Sequence, residues 1–161
     1  MVFFENLYFA GMLVTYGIFI SFLYDKLRET PSISRIIEEN REPIFYTILV
    51  FCLFTVLYEI QRYRKFSIFI SIIILFIGLF GVILISEKNI WHFLYVGLVV
   101  SSIAFFMFSH CLVWSNDGYW LLFYLTILAF IGCLVNMDTN ISYWEAGFMG
   151  IFAIFYISLH F

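Results

Sequence analysis

Charge is what this sequence has least of. Asp, Glu, Lys and Arg make up 12% of its 161 residues and hydrophobic residues 64%, whereas about 25% charged residues is usual in a soluble domain. That composition excludes a water-soluble globule. Basic clusters are missing as well: nowhere do four or more Lys and Arg gather, and the formal net charge is −3. Nucleic-acid binding and a strong polybasic lipid patch therefore have no support. Cysteine is limited to Cys52, Cys111 and Cys133. They are an odd set in or beside apolar runs, expected to be inert buried thiols and not disulfides or metal ligands. Met1 to Phe4 carry no Lys or Arg and no small-residue cleavage pattern follows, so the first apolar run is expected to be a retained helix and not a signal peptide.

What the chain has in abundance is long uncharged runs. Phe66 to Ser86 contain no charge, Glu87 to Asn89 form a short polar break, and Ile90 to Phe108 are again apolar. A bilayer core is about 30 Å thick and a helix rises about 1.5 Å per residue, so roughly 20 apolar residues make one crossing. The pattern predicts an all-α polytopic membrane bundle of six transmembrane helices, over about 3–24, 43–60, 66–86, 90–109, 119–135 and 141–159, with no separate soluble domain. Trp91, Trp114, Trp120 and Trp144 all fall near predicted boundaries, as interfacial aromatic residues do. Ala10, Gly11, Gly17, Gly78, Gly81, Gly147 and Gly150 supply small faces for close helix contact in lipid.

Nine of the nineteen charged residues lie between Asp25 and Glu42. In this amphipathic loop, 25–42, Ile33, Ile36 and Ile37 recur at helical spacing opposite Arg35, Glu38 and Glu39, which predicts a short amphipathic turn on the membrane surface. Pro31 suits the first position of that turn and Pro43 the first turn of the next span. Pro31, Ser34 and Arg35 are the candidate contact residues of the loop.

Ionisable groups inside a bilayer are costly and normally mark a mechanism. Here every charged residue falls near a predicted span end, the deepest being Glu145, about one turn into the sixth. His92, His110 and His160 show no metal-binding spacing, and no Ser, His and Asp set can be assembled. Neither a cofactor nor a metal is expected. The candidate polar site is Glu87 with His92 at the tip of the central hairpin, where the two could face each other across the turn. The expected role is non-enzymatic, in lipid organisation or membrane scaffolding. Membrane lipids are the expected partners, with a protein partner or a second copy of the chain as further possibilities. Two alternatives are a small channel or viroporin-like pore, lined by hydroxyl and small faces of the first, third and sixth spans, and a lipid-modifying enzyme using His92 and Glu87.

Pro31-Ser32-Ile33-Ser34 in the loop, Glu42-Pro43 opening the second span, Arg62-Tyr63-Arg64 closing it, Gly78 and Gly81 in the third span and His92 opening the fourth together form a pattern. It resembles the six-span superfamily of FGF-receptor-activating protein, damage-regulated autophagy modulators and suppressor-of-four-kinase proteins. That family usually has Tyr and an acidic residue where Ser32 and Arg35 stand. The resemblance implies an endomembrane or plasma-membrane protein with cytosolic termini, its first loop lumenal or outside, and a non-catalytic role in lipid handling, autophagy or scaffolding. Charge leans the other way: Arg62, Arg64 and Lys65 lie on the terminal side against Lys26, Arg28, Arg35, Arg41 and Lys88 opposite, which by the positive-inside rule favours termini outside.

Overall fold

The computed structural model describes residues 2–24, 32–62, 65–114, 116–135 and 141–159, and these are all-helical. The helices are α1 (Val2–Tyr24), α2 (Ile33–Glu39), α3 (Arg41–Arg62), α4 (Phe66–Leu84), α5 (Ile90–Trp114), α6 (Asp117–Val135) and α7 (Ile141–Ser158). Five are long and apolar enough to cross a bilayer: Phe4–Tyr24 of α1, then α3, α4, α5 and α6. Their outward faces carry exposed residues such as Leu13, Leu53, Ile77, Phe105 and Leu128. An apolar surface that extensive belongs in lipid, and the chain is a membrane protein. α7, of 18 residues, packs along α6.

Consecutive long helices are packed in the order α1, α3, α4, α5, α6, α7. End contacts fix their directions. Arg62 at the end of α3 lies 3.7 Å from Glu5 at the start of α1 and hydrogen-bonds the Leu159 carbonyl just past α7, which defines a terminal end. At the opposite end, α2 meets the α4–α5 turn and the beginning of α7.

α2 forms where the isoleucine spacing predicts a turn, but its environment differs from the expectation of a helix lying on the membrane surface. Ile33, Ile36 and Ile37 are buried inside the protein, against Phe19, Leu23, Ile44, Ile48 and Ile83. The ends of α1, α3 and α4 offer more apolar contact than a lipid interface does, so α2 plugs the bundle. Asn40 alone separates α2 from α3; its backbone N–H and its Nδ2 both reach the Ile36 carbonyl, at 3.1 and 2.9 Å. Pro43 sits in the first turn of α3, where its missing N–H leaves no bond unmade. Pro31 lies outside the described residues.

The α4–α5 hairpin is the tightest pairing, and glycine makes it possible. A Cβ built on Gly78 would lie 2.9 Å from the Val99 backbone nitrogen, and one on Gly81 would fall 2.0 Å from the Tyr95 ring. In lipid, helices associate through such van der Waals proximity. Gly78→Ala is therefore expected to lower stability by about 1–3 kcal/mol, measured by SDS-induced unfolding in detergent. Gly97→Ala, on the same hairpin but with nothing within 4 Å of the added Cβ, is the matched control and should be neutral or slightly stabilising.

Candidate functional site

Ser32 organises the α2 end. Its extended backbone places it at the N-cap of α2, where its Oγ accepts the Arg35 N–H at 3.2 Å. The same hydroxyl donates to Glu87 Oε2 at 3.0 Å, in the turn between α4 and α5. The next residue, Ile33, donates its backbone N–H to Glu145 Oε2 at 2.8 Å, on α7. Glu38, at the far end of α2, accepts the Glu87 N–H at 3.4 Å. A hydrogen bond from Ser86 holds the Glu38 carboxyl below its ordinary value; the Glu87 N–H, Arg41 and Lys88 add to this against some desolvation. The helix α2 is thus held by carboxylates on two different elements.

The cap makes a modest prediction. Ser32→Ala removes the N-cap acceptor and the Glu87 donor together, and losing such a cap costs about 1 kcal/mol. Amide hydrogen exchange at Ile36 and Ile37 should accelerate about fivefold, with exchange in α4 unchanged.

Beneath α2 lies a cavity of about 660 Å3 bounded by α1 to α7. Its upper end is polar, lined by Ser32, Ser34, Glu87, Lys88, His92 and Glu145, and its body is apolar, with Phe19, Leu79, Val96, Phe130 and Phe152 among the walls. Ile103 and Phe152 line its deep end. Beyond them Phe106, Met107 and Phe155, none more than 3% exposed, fill the bundle interior. The hydroxyls along the wall are engaged: Thr15 bonds the Gly11 and Met12 carbonyls, Thr47 the Pro43 carbonyl, and Tyr16 the Met149 carbonyl across from α1 to α7 at 3.2 Å.

Both residues of the predicted hairpin-tip pair reach this cavity, but they do not face each other. Glu87 turns to Ser32. His92, 3% exposed in the first turn of α5, has its Nδ1 2.9 Å from the Ile85 carbonyl. A carbonyl only accepts, so Nδ1 carries the proton and Nε2 of the neutral ring is a bare acceptor. Nε2 is buried and has no partner. Of the loop candidates, Ser34 lines the cavity, whereas Arg35 points outward and makes an exposed ion pair with Glu39 at 3.6 Å. Glu145 was legible only as an acid one turn inside an apolar run. Nothing in the sequence joined it to Ile33, 112 residues away.

A second polar cluster occupies the terminal end. Glu59, near the predicted end of the second span, is fully buried because α3 continues another turn to Arg62. Tyr156 of α7 donates to Glu59 Oε1 at 2.5 Å, and Arg62 donates to the Tyr58 hydroxyl and the Leu159 carbonyl. This cluster joins α1, α3 and α7 and contributes no wall to the cavity under α2.

Among the described residues, no three His, Cys, Asp or Glu side chains converge as a metal site. Searches against protein-family models, curated proteins and solved structures found no match to this chain.

Proposed function

We propose that this chain is a six-span, non-enzymatic membrane protein that holds one lipid-like amphiphile between its helices, with α7 as the sixth crossing. The cavity carries the reading: at about 660 Å3 it lies within the roughly 300–1,000 Å3 of small-molecule sites, and its polar and apolar parts are segregated end to end. The polar end lies level with the α2 end of the bundle, at the depth of lipid headgroups, and the apolar part runs toward the bilayer centre. An amphiphile lying parallel to the surrounding lipids would match both. Access is from the membrane, between α1 and α7, which meet through side chains and the Tyr16–Met149 bond and not through close backbone packing.

A pore is the weaker reading, since the hydroxyls it would use bond to backbone carbonyls and aromatic residues fill the interior below the cavity. Binding also suits the mouth better than proton transfer, because Glu87 and His92 hold separate partners. In line with the six-span resemblance, the termini are placed in the cytosol and α2 on the opposite side.

Val96→Trp, which pushes an indole into the cavity body, tests the reading. The full chain in nanodiscs, ejected into a native mass spectrometer, should carry one lipid-mass adduct that the variant loses while keeping its helical content. An unchanged adduct in the variant, or ion conductance through liposomes containing the wild type, would overturn it.

A further inference from the structure

The polar end of the cavity presents acceptors that lack donors. Glu87 and Glu145 each have Oε2 engaged by α2, at 3.0 Å from Ser32 Oγ and 2.8 Å from Ile33 N. Because those two donors belong to consecutive residues, both carboxylates are drawn to one place at the mouth, near enough for the Glu87 charge to act on Glu145. Among the described residues no donor meets the second oxygen of either. Two ionised carboxylates so placed in a partly desolvated site repel each other, and either a proton on one of them or a cation between them relieves the repulsion. Close by, His92 lines the same cavity, is 3% exposed and has a bare, buried Nε2 acceptor. A buried polar atom without a partner is rare in a native protein and calls for a ligand or water.

Among the described residues, the one Lys or Arg that lines the cavity does not fill this need. Lys88 is exposed at the rim and lies in the field of Glu38. Nor do the carboxylates and imidazole converge as metal ligands, whose bonds are about 2.0–2.6 Å. A protonated amine is less demanding: it brings one positive charge and up to three N–H donors, has no acceptor, and bonds at about 2.7–2.9 Å. A phosphate or sulfate head would set an anion against two carboxylates, and an amide or ester head would bring no charge.

Resting on the lipid-binding reading above, we infer that the cavity takes a single-chain amphiphile with a protonated amine in its headgroup. The ammonium sits between Glu87 and Glu145, and His92 Nε2 accepts from an N–H or hydroxyl of the same headgroup. The chain lies along Leu79, Val96 and Phe130. Lipid could supply this chemistry as a long-chain amino alcohol; a small soluble amine shares only the head.

Probes of constant chain separate the possibilities. The full chain in phosphatidylcholine nanodiscs is titrated with sphingosine, N-acetylsphingosine and N,N,N-trimethylsphingosine, and with chainless ethanolamine, the adducts being counted by native mass spectrometry. Sphingosine should bind at least about tenfold more tightly than the acetylated form, which has no charge, and the trimethylated form, which has no N–H; charge-assisted hydrogen bonds are worth that much. Glu87→Gln with Glu145→Gln should erase the preference, with sphingosine and N-acetylsphingosine then binding equally. After Glu145→Gln the side-chain amide oxygen can still accept from Ile33, and hydrogen exchange in α2 reports whether that helix remains docked. Should the double variant undock α2, Glu87→Gln alone must still reduce the preference several-fold.

Equal binding of the three long-chain probes would overturn the amine assignment and leave the lipid reading intact. Absence of binding by any long-chain probe, with wild type indistinguishable from Val96→Trp, would overturn both. Ethanolamine competing as well as sphingosine would make this a soluble-amine site and overturn the role of the chain. A preference that survives in the variants would overturn the assignment to these carboxylates.

Discussion

Arg62→Ala is expected to destabilise the bundle by about 3 kcal/mol, near the lower end of the cost of removing one partner from a buried charge network. Three helices meet at this guanidinium. It donates to the Tyr58 hydroxyl on its own helix and to the Leu159 carbonyl past α7, it lies 3.7 Å from Glu5 on α1, and it rests 5.6 Å from the centre of the Tyr58 ring. The side chain is 19% exposed, so water softens the loss and keeps it from the top of the range. What remains costly is Glu59, which is fully buried and lies within the electrostatic reach of Arg62. Without that cation, the Tyr156 hydroxyl is left to support its carboxylate.

Two further variants separate charge from geometry. Arg62→Lys keeps the charge but replaces a planar fork by a single ammonium, which cannot serve the Tyr58 hydroxyl and the Leu159 carbonyl with the same geometry, so an intermediate loss is expected. Arg62→Ala combined with Glu59→Gln should regain at least half of the loss, since a neutral amide can keep the Tyr156 bond at no charge penalty. Unfolding in SDS and detergent mixtures reads all three. An Arg62→Ala variant within about 0.5 kcal/mol of wild type would show that the cluster is solvated and structurally idle. The cluster also ties α1 to α7 below the cavity, so if that cavity holds an amphiphile as proposed, loss of the cluster should speed its exchange.

The five long apolar helices were legible because lipid imposes its requirement locally: uninterrupted apolar length is read directly from Phe66 to Ser86 or Ile90 to Phe108. The contact glycines were half legible. Gly78 and Gly81 seat the α5 backbone and Tyr95 as their spacing suggests, and a Cβ on Gly11 would strike Phe54, but a Cβ on Gly17, Gly147 or Gly150 would meet nothing within 4 Å. Composition marks a small face; only the neighbour decides whether it is used. The site was least legible. Ser32 meets Glu87 across 55 residues and Ile33 meets Glu145 across 112, and no periodicity relates residues so far apart. Glu87 and His92 stand out for being close in sequence, and they prove to share a cavity while ignoring each other. The isoleucines of α2 gave the right amphipathic face and the wrong neighbour, since a protein core and a membrane surface ask for the same spacing.

Phe106→Ala is the second substitution expected to have a large effect, and it joins stability to function. Phe106 is 3% exposed, stacks on Tyr156 at 5.5 Å, lies 4.3 Å from the His110 ring and meets Phe152 edge-on at 5.9 Å. In water, removing such a ring costs about 3–5 kcal/mol, part from transfer and part from the cavity left behind. In lipid the unfolded reference is itself apolar, so the transfer contribution falls away and the lost packing remains. A loss of about 2–3 kcal/mol is therefore expected. The space vacated adjoins Ile103 and Phe152, the deep end of the cavity. If that cavity holds a chain, the variant should accept one longer by a few methylenes, which regain packing against the vacated walls, and occupancy by the longer chain should restore part of the lost stability. Native mass spectrometry across a series of chain lengths reads the shift, and SDS unfolding with and without the longer chain reads the restoration. A destabilised variant with unaltered chain-length preference would mean that Phe106 supports the bundle but does not floor the cavity.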